Sequence, residues 1–316
     1  MFIVMPVLII TGICFGHALD AFLGITSYLF MLLTFISTLK ADLCSFRQVF
    51  RQPIFFACFM VLHHLLFPWF VWLIAGHLFP EGTDLSIGLT MCVLLSMGVT
   101  SIFWVSYNKG NLETVLAYVT MNTLINPFIV PVAFFVILGK EVSVDSSSLL
   151  ISLVKLVLLP STLGLLAGNW LRRNERLSFI EAGAGLTSKA CLSLIVLFNA
   201  AAISGQLQII VGHLIPLFLS IFLVMVVGYL VSYFYSSWIS KDRGMRIAVT
   251  YAGGVRNYTV GVVLASTYFS PAVGIPILIA MLLQHPVALL FVRFFNKATS
   301  PFRNAAETAW KHRADS

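Results

Sequence analysis

The sequence predicts an all-α integral membrane protein with ten transmembrane helices arranged as two inverted five-helix repeats. Three observations carry that prediction. The chain of 316 residues is 59% hydrophobic and only 10% charged, with a mean hydropathy of +0.97, a balance that no soluble domain of this size tolerates. Its apolar residues fall in ten long runs with short connections, and a span needs about 20 such residues. Its basic residues alternate with those runs as the positive-inside rule requires.

The runs lie at 2–19, 23–38, 54–76, 86–106, 112–138, 149–170, 181–203, 209–238, 246–269 and 273–295. The first has no basic leader and no small-residue cleavage site, so it reads as a span rather than a cleaved signal peptide. From Asn296 the chain turns polar and basic, and residues 298–316 are expected to form a cytoplasmic tail that frays or lies on the membrane surface. The five cysteines, Cys14, Cys44, Cys58, Cys92 and Cys191, form no CxxC pair. Four of them lie in apolar runs and are expected to be small buried hydrophobes.

Of the 19 Lys and Arg, 15 fall on one side of this arrangement: Lys40, Arg47 and Arg51; Lys109; Arg172, Arg173 and Arg176; Lys241, Arg243 and Arg246; and the cluster from Arg293 to Arg313. The opposite loops carry Asp20, Glu81, Asp84, Lys140, Glu141 and Asp145. Both termini are therefore expected in the cytoplasm of a cell (inner) membrane. The formal charge of +7 follows from this bias and implies no nucleic acid. No P-loop, zinc-protease pattern or Ser/His/Asp arrangement is present, so neither a cofactor nor an enzyme activity is expected.

Five spans per repeat is an odd number, so two such halves must be inverted, dividing the chain into 1–148 and 149–297. Punctuation recurs at a nearly constant offset: Pro6 with Pro160, Gly98 with Gly253, and Pro131 with Pro286. Pro68 and Pro216 do not keep it. The fourth and ninth spans are then equivalent, and both look interrupted, at Ser96 to Ser101 and at Tyr251 to Asn257. Paired broken helices point to a solute site near the midplane, where freed N–H groups attract anions.

Arg256 stands in the second interruption, just after Gly253 and Gly254. A charge at membrane depth costs roughly 3 kcal/mol and marks a functional site. Each Gly weakens a helix by about 1 kcal/mol relative to Ala. A cation beside a breakable helix suggests a solute site in a carrier.

Several of these segments are similar to the bile acid:sodium symporter superfamily. Gly98 to Asn111 resembles its GGTASNxxxYLARGN stretch, and Asn126-Pro127 with Pro131 resembles the span that follows. Ser152 to Gly164 is close to its sixth span, and Ala252 to Asn257 falls on its EVGMQN-type motif. The resemblance implies a panel domain of spans 1, 2, 6 and 7 beside a core domain of the other six. It also implies that the fourth and ninth spans cross at their breaks, where sodium and an organic anion bind.

The chain departs from that pattern at the sodium ligands. The motif's Glu falls on Ala252, its Gln on Arg256, the Asn of TASN on Ile102, two hydroxyls of the fifth span on Val115 and Val119, and a third-span Gln on His63. Ser101 is kept. Sodium needs oxygen ligands, which alanine, isoleucine and valine side chains lack. The expected protein is thus a carrier of a small organic anion by alternating access, not coupled to sodium, with Arg256 in place of the bound cation. Its expected site comprises Arg256, Asn257, Ser101, Thr100, His63, Gly98, Gly253 and Gly254, without a metal. Its expected partners are the solute and the bilayer, with no obligatory protein. Other residues weighed are His64, His285, Lys155, Tyr251, Tyr258 and Lys189, the last facing either the panel–core cavity or headgroups. Alternatives are a sodium-coupled symporter of the same family, an arsenite-type carrier, against which Cys92 speaks by lying nearly two turns before Gly98, and a transport-dead sensor with Arg256 locked onto carbonyls and no open cavity.

Overall fold

The computed structural model describes residues 4–39, 49, 52–79, 83–138, 146–174 and 177–314, and every regular element among them is helical. The expected loop positions Lys40, Cys44, Arg47, Arg51, Glu81, Lys140, Glu141, Asp145 and Arg176 lie outside the described residues. Seven helices are long and apolar enough to cross a membrane: Ala21–Leu39, Pro53–Leu78, Leu112–Leu138, Leu150–Arg173, Gly183–Ala202, Gly212–Ile239 and Pro271–Phe295. They fall on seven of the ten expected runs. The other three runs are carried by shorter pieces, and two of those are the runs with expected breaks.

In chain order, α1 (Val4–Cys14), α2 (Gly16–Leu19) and a 3-10 turn (Asp20–Ile25) lead into α3 (Thr26–Leu39). Next, α4 (Pro53–Val61) and α5 (Phe67–Leu78) form one continuous rod through a π-helical turn at Leu62–Leu66. The interrupted fourth run gives α6 (Thr83–Leu94) and α7 (Thr100–Tyr107), followed by α8 (Leu112–Leu138). Then come α9 (Ser146–Leu153), a π turn at Val154–Leu158, α10 (Leu159–Arg173), α11 (Leu177–Ala202) and α12 (Leu207–Ile239). The interrupted ninth run gives α13 (Arg243–Gly254) and α14 (Tyr258–Tyr268), and α15 (Gly274–Ala314) ends the chain.

Local sequence accounts for these boundaries. Both π turns sit just before a proline, Pro68 and Pro160. Proline donates no N–H and crowds the carbonyl four residues back, and the wider turn relieves that crowding. Asp242 caps α13 by accepting the Met245 N–H at 2.6 Å. The expected basic tail does not stand apart: α15 continues through it to Ala314, where Ala305, Ala306, Glu307, Ala309 and Lys311 are strong helix formers.

The helices pack in two groups. In one, α1 and α3 lie against α11, and α3 against α10. In the other, α12 packs on α13 and α15, α15 on α6 and α14, and α13 on α7 and α8. Contacts of α14 with α3 and α11 join the groups. The cysteines divide differently from expectation: Cys92 and Cys191 are buried, but Cys14 and Cys58 are exposed, because their runs turn one face outward.

Candidate functional site

The two interruptions meet. Met97 and Arg256 pair as an isolated antiparallel bridge. Gly98 donates its N–H to the Val255 carbonyl at 2.9 Å, and Asn257 donates to the Ser96 carbonyl at 2.8 Å. Each chain thus offers its freed backbone groups to the other, which a broken helix in hydrocarbon requires. The remaining central N–H groups are capped by amide side chains. Met97 donates to Asn122 Oδ1 at 2.7 Å, and Arg256 to Gln284 Oε1 at 3.0 Å.

The glycines act through close approach. A Cβ on Gly98 would lie 2.8 Å from the Arg256 carbonyl oxygen. A Cβ on Gly253 would overlap Ser232 and His63, and one on Gly254 would overlap the Tyr229 ring. Contrary to expectation, Gly253 and Gly254 do not form the break: both are helical, the chain leaves α13 at Val255, and their role is to admit neighbours. The offset that links Gly98 with Gly253 therefore does not identify the residues that face each other, since Gly98 packs on Val255 and Arg256.

Arg256 is 3% exposed. Its Nη1 donates to the Leu95 carbonyl at 3.1 Å and its Nη2 to His63 Nδ1 at 2.8 Å. A guanidinium only donates, so His63 Nδ1 accepts, and the ring proton sits on Nε2. That nitrogen donates to Ser232 Oγ at 2.9 Å, and Ser232 donates to the Gly228 carbonyl at 2.8 Å. His63 is thus a neutral imidazole fixed by hydrogen bonds on both sides. His64 takes the other tautomer. Its Nδ1 donates to the Leu94 carbonyl at 3.2 Å, while Nε2 accepts from Asn122 Nδ2 at 2.7 Å. Adjacent side chains on an α-helix point apart, yet both histidines are buried here, at 0% and 1% exposure. They lie in the π turn at Leu62–Leu66, whose wider winding brings both toward the crossing.

Beside the crossing lies a cavity of about 250 Å³. It reaches Gly98, Thr100, Arg256 and Asn257 of the expected set, and not His63, Ser101, Gly253 or Gly254. Ser101 is fully buried within α7 and its Oγ has no hydrogen-bond partner. The first residues of α7 and of α14 both border the cavity, so two helix N-termini face it. Asn257 stands at the N-cap of α14 without a side-chain capping bond. Tyr258 lines the cavity, whereas Tyr251 is fully buried and donates to the Ala288 carbonyl at 3.1 Å. Lys189, Gln284 and His285 also line it and were absent from the expected set. Lys189 stands out as a charge in an apolar run and His285 as a histidine before Pro286, but Gln284 carries no signal that periodicity or composition would raise. Among the described residues no carboxylate lines this cavity. Cys92 is buried away from it, and Lys155 is exposed on the second π turn.

Among the described residues no cluster of His, Cys, Asp or Glu could hold a metal ion. The positions where the resemblance implies sodium ligands hold buried apolar side chains, Ala252 at 0%, Val115 at 0% and Val119 at 3% exposure. A cation site needs oxygens there, so these residues do not fit bound sodium.

Comparison with known proteins agrees with this architecture. The profile of the Sodium Bile acid symporter family matches residues 27–213. A relative from Bacillus subtilis (strain 168), "Uncharacterized protein YbaS", is 30% identical over 298 residues, covering 93% of this chain and 97% of its own. "Uncharacterized sodium-dependent transporter YocS" of the same organism is 23% identical, covering 81% of this chain and 78% of its own. "Probable sodium/metabolite cotransporter BASS2, chloroplastic" of Oryza sativa subsp. japonica is 24% identical, covering 78% of this chain and 57% of its own. With more than half of its length matched and its breaks meeting as described, the chain is a multi-pass membrane protein that belongs to the Sodium Bile acid symporter family, a family of transporters.

Proposed function

We propose that this transporter carries a small organic anion by alternating access, without sodium, and that Arg256 is its resident cation. The observation that carries the reading is the guanidinium itself. It is buried at the crossing, bonded to the Leu95 carbonyl just beyond the end of α6, where a helix dipole favours a positive charge. The Glu-to-Ala and Gln-to-Arg departures at Ala252 and Arg256 then compensate each other. An acidic site for a mobile cation becomes a neutral site with a tethered one. His63 and Ser232 hold the guanidinium in register.

In this reading the ten runs form two inverted repeats. The α1, α3, α10 and α11 group is the panel, and the remaining spans are the core. The solute sits in the cavity between them, its anionic group facing the N-termini of α7 and α14, which carry partial positive charge. Both termini lie in the cytoplasm of a cell membrane, as the basic loops favour. The cavity is bordered by Thr34, Ser37 and Thr38 near the end of α3, which leads into the loop of Lys40, Arg47 and Arg51, so it opens inward. A potential negative inside drives an anion outward by about 2.3 kcal/mol per charge per 100 mV. Exchange or efflux is therefore the natural direction.

Two relatives, one named a sodium-dependent transporter and one a probable sodium/metabolite cotransporter, favour the contrary reading, a sodium-coupled symporter. The locked guanidinium on its own also fits a sensor that no longer turns over, although the open cavity argues for transport. Counterflow in proteoliposomes separates these. A panel of radiolabelled carboxylates and sulfonates is exchanged across the membrane in sodium or choline medium. Our reading predicts exchange of at least one anion at equal rates in both media. Exchange in sodium alone would replace it with symport, and binding without exchange would favour the sensor.

A further inference from the structure

The cavity has a second cation, carried by α11 rather than by the crossing. Lys189 lies twelve residues into α11, about 18 Å along the helix. It is exposed, and with Ser188 and Leu192 it presents one face of α11 to the cavity. Among the described residues no hydrogen bond or ion pair ties it to another side chain, and no described carboxylate lines the cavity with it. The hydroxyls on the neighbouring wall do not compete as donors. Thr34 gives its proton to the Phe30 carbonyl, Ser37 to Leu33 and Thr38 to Thr34. On the other wall, Thr123 gives its proton to Val119. These four oxygens present lone pairs to the solute, which suits hydroxyl or amide donors and disfavours a carboxylate beside them. Positive potential therefore stands at two separated places: the paired N-termini of α7 and α14, and the Lys189 ammonium. Phe30, Leu33 and Met281 add apolar wall to the same cavity.

Resting on the reading of this cavity as the solute site, we infer that Lys189 is the specificity-determining residue for a second anionic group, so that the carrier prefers small dianions, dicarboxylates above all, to monoanions of the same chain length. Because α11 packs with α1 and α3 whereas the helix N-termini belong to the other group, a dianion bridges the two bodies that move against each other. A monoanion engages only one of them.

The test is equilibrium binding of glutarate and of valerate to the purified full-length protein; they share a carbon chain and differ by one carboxylate. Wild type is expected to bind glutarate at least about tenfold more tightly, the size of one charge-assisted hydrogen bond. Lys189→Met and Lys189→Gln are expected to bring the ratio close to one while leaving valerate affinity unchanged, and Lys189→Arg is expected to retain the preference. Equal binding of the two acids by wild type overturns the inference, as does a preference that survives Lys189→Met; either result leaves the anion carrier standing. Failure of both acids to bind wild type overturns this inference together with the anion reading.

Discussion

At the first break, three carbonyls need donors: Leu94 receives His64, Leu95 receives Arg256, and Ser96 receives the Asn257 N–H. At the second break, the Val255 carbonyl receives the Gly98 N–H, and the Val255 N–H turns back to Tyr251 in its own helix. The central N–H is treated alike in both, by Asn122 at Met97 and by Gln284 at Arg256. The breaks are thus similar in backbone design and opposite in charge role. The first collects carbonyl oxygens at the C-terminal end of α6, and the second brings the cation that answers them. Such a difference teaches that carbonyl oxygens freed at one break can be satisfied by donors of the other, a guanidinium with fixed N–H groups among them.

The largest effect is expected from removing that cation. Arg256→Gln leaves the Leu95 carbonyl and His63 Nδ1 without their donors. Two charged hydrogen bonds of roughly 1.5–3 kcal/mol each, less the desolvation cost of the guanidinium, give a loss of about 3 kcal/mol. Thermal unfolding in detergent should show it, and added sodium should not restore it. Next come the glycines. Gly254→Ala forces a methyl against Tyr229 and should destabilise by about 1–3 kcal/mol, whereas Gly183→Ala, with nothing within 4 Å of its Cβ, should be neutral or slightly stabilising. An equal response to the two would show that close approach at the second break is not what these glycines provide.

The amide caps sharpen the comparison further. Asn122→Leu and Gln284→Leu each orphan one buried N–H, at about 1–3 kcal/mol. The Asn122 variant should lose more, because that amide also donates to His64 Nε2 at 2.7 Å and to Met60 Sδ at 3.3 Å. Equal losses would mean that His64 contributes nothing to the first break. The smallest effect on folding is expected at Thr100→Ala and Asn257→Ala. Both line the cavity, and neither side chain bonds to another described residue, so stability should change within about 0.5 kcal/mol while anion affinity falls.

Much of this was legible from residue types. The breaks and the charge at Arg256 follow from a cation in an apolar run and from the resemblance, which also puts His63 in the expected site; that His63 and Arg256 touch is what the structure adds. The joint burial of His63 and His64 was not legible, because helical periodicity assumes an α-helix and the π turn before Pro68 alters the winding. Asn122 and Gln284 escaped notice for a different reason. An amide in a span has many bland uses, and only the three-dimensional meeting of two breaks shows that each caps one peptide N–H. The glycines were found for a reason that the structure replaces: they admit Tyr229, Ser232 and His63 rather than weakening the helix.

The central claim is that the crossing carries its own cation, and the most direct test is ligand-induced thermal stabilisation in matched NaCl and choline chloride. Purified wild type and Arg256→Gln are each screened with the same panel of organic anions. The account predicts that wild type is stabilised equally in both salts and that the variant is stabilised in neither. Stabilisation of wild type in NaCl alone, or of the variant once sodium is present, would contradict it.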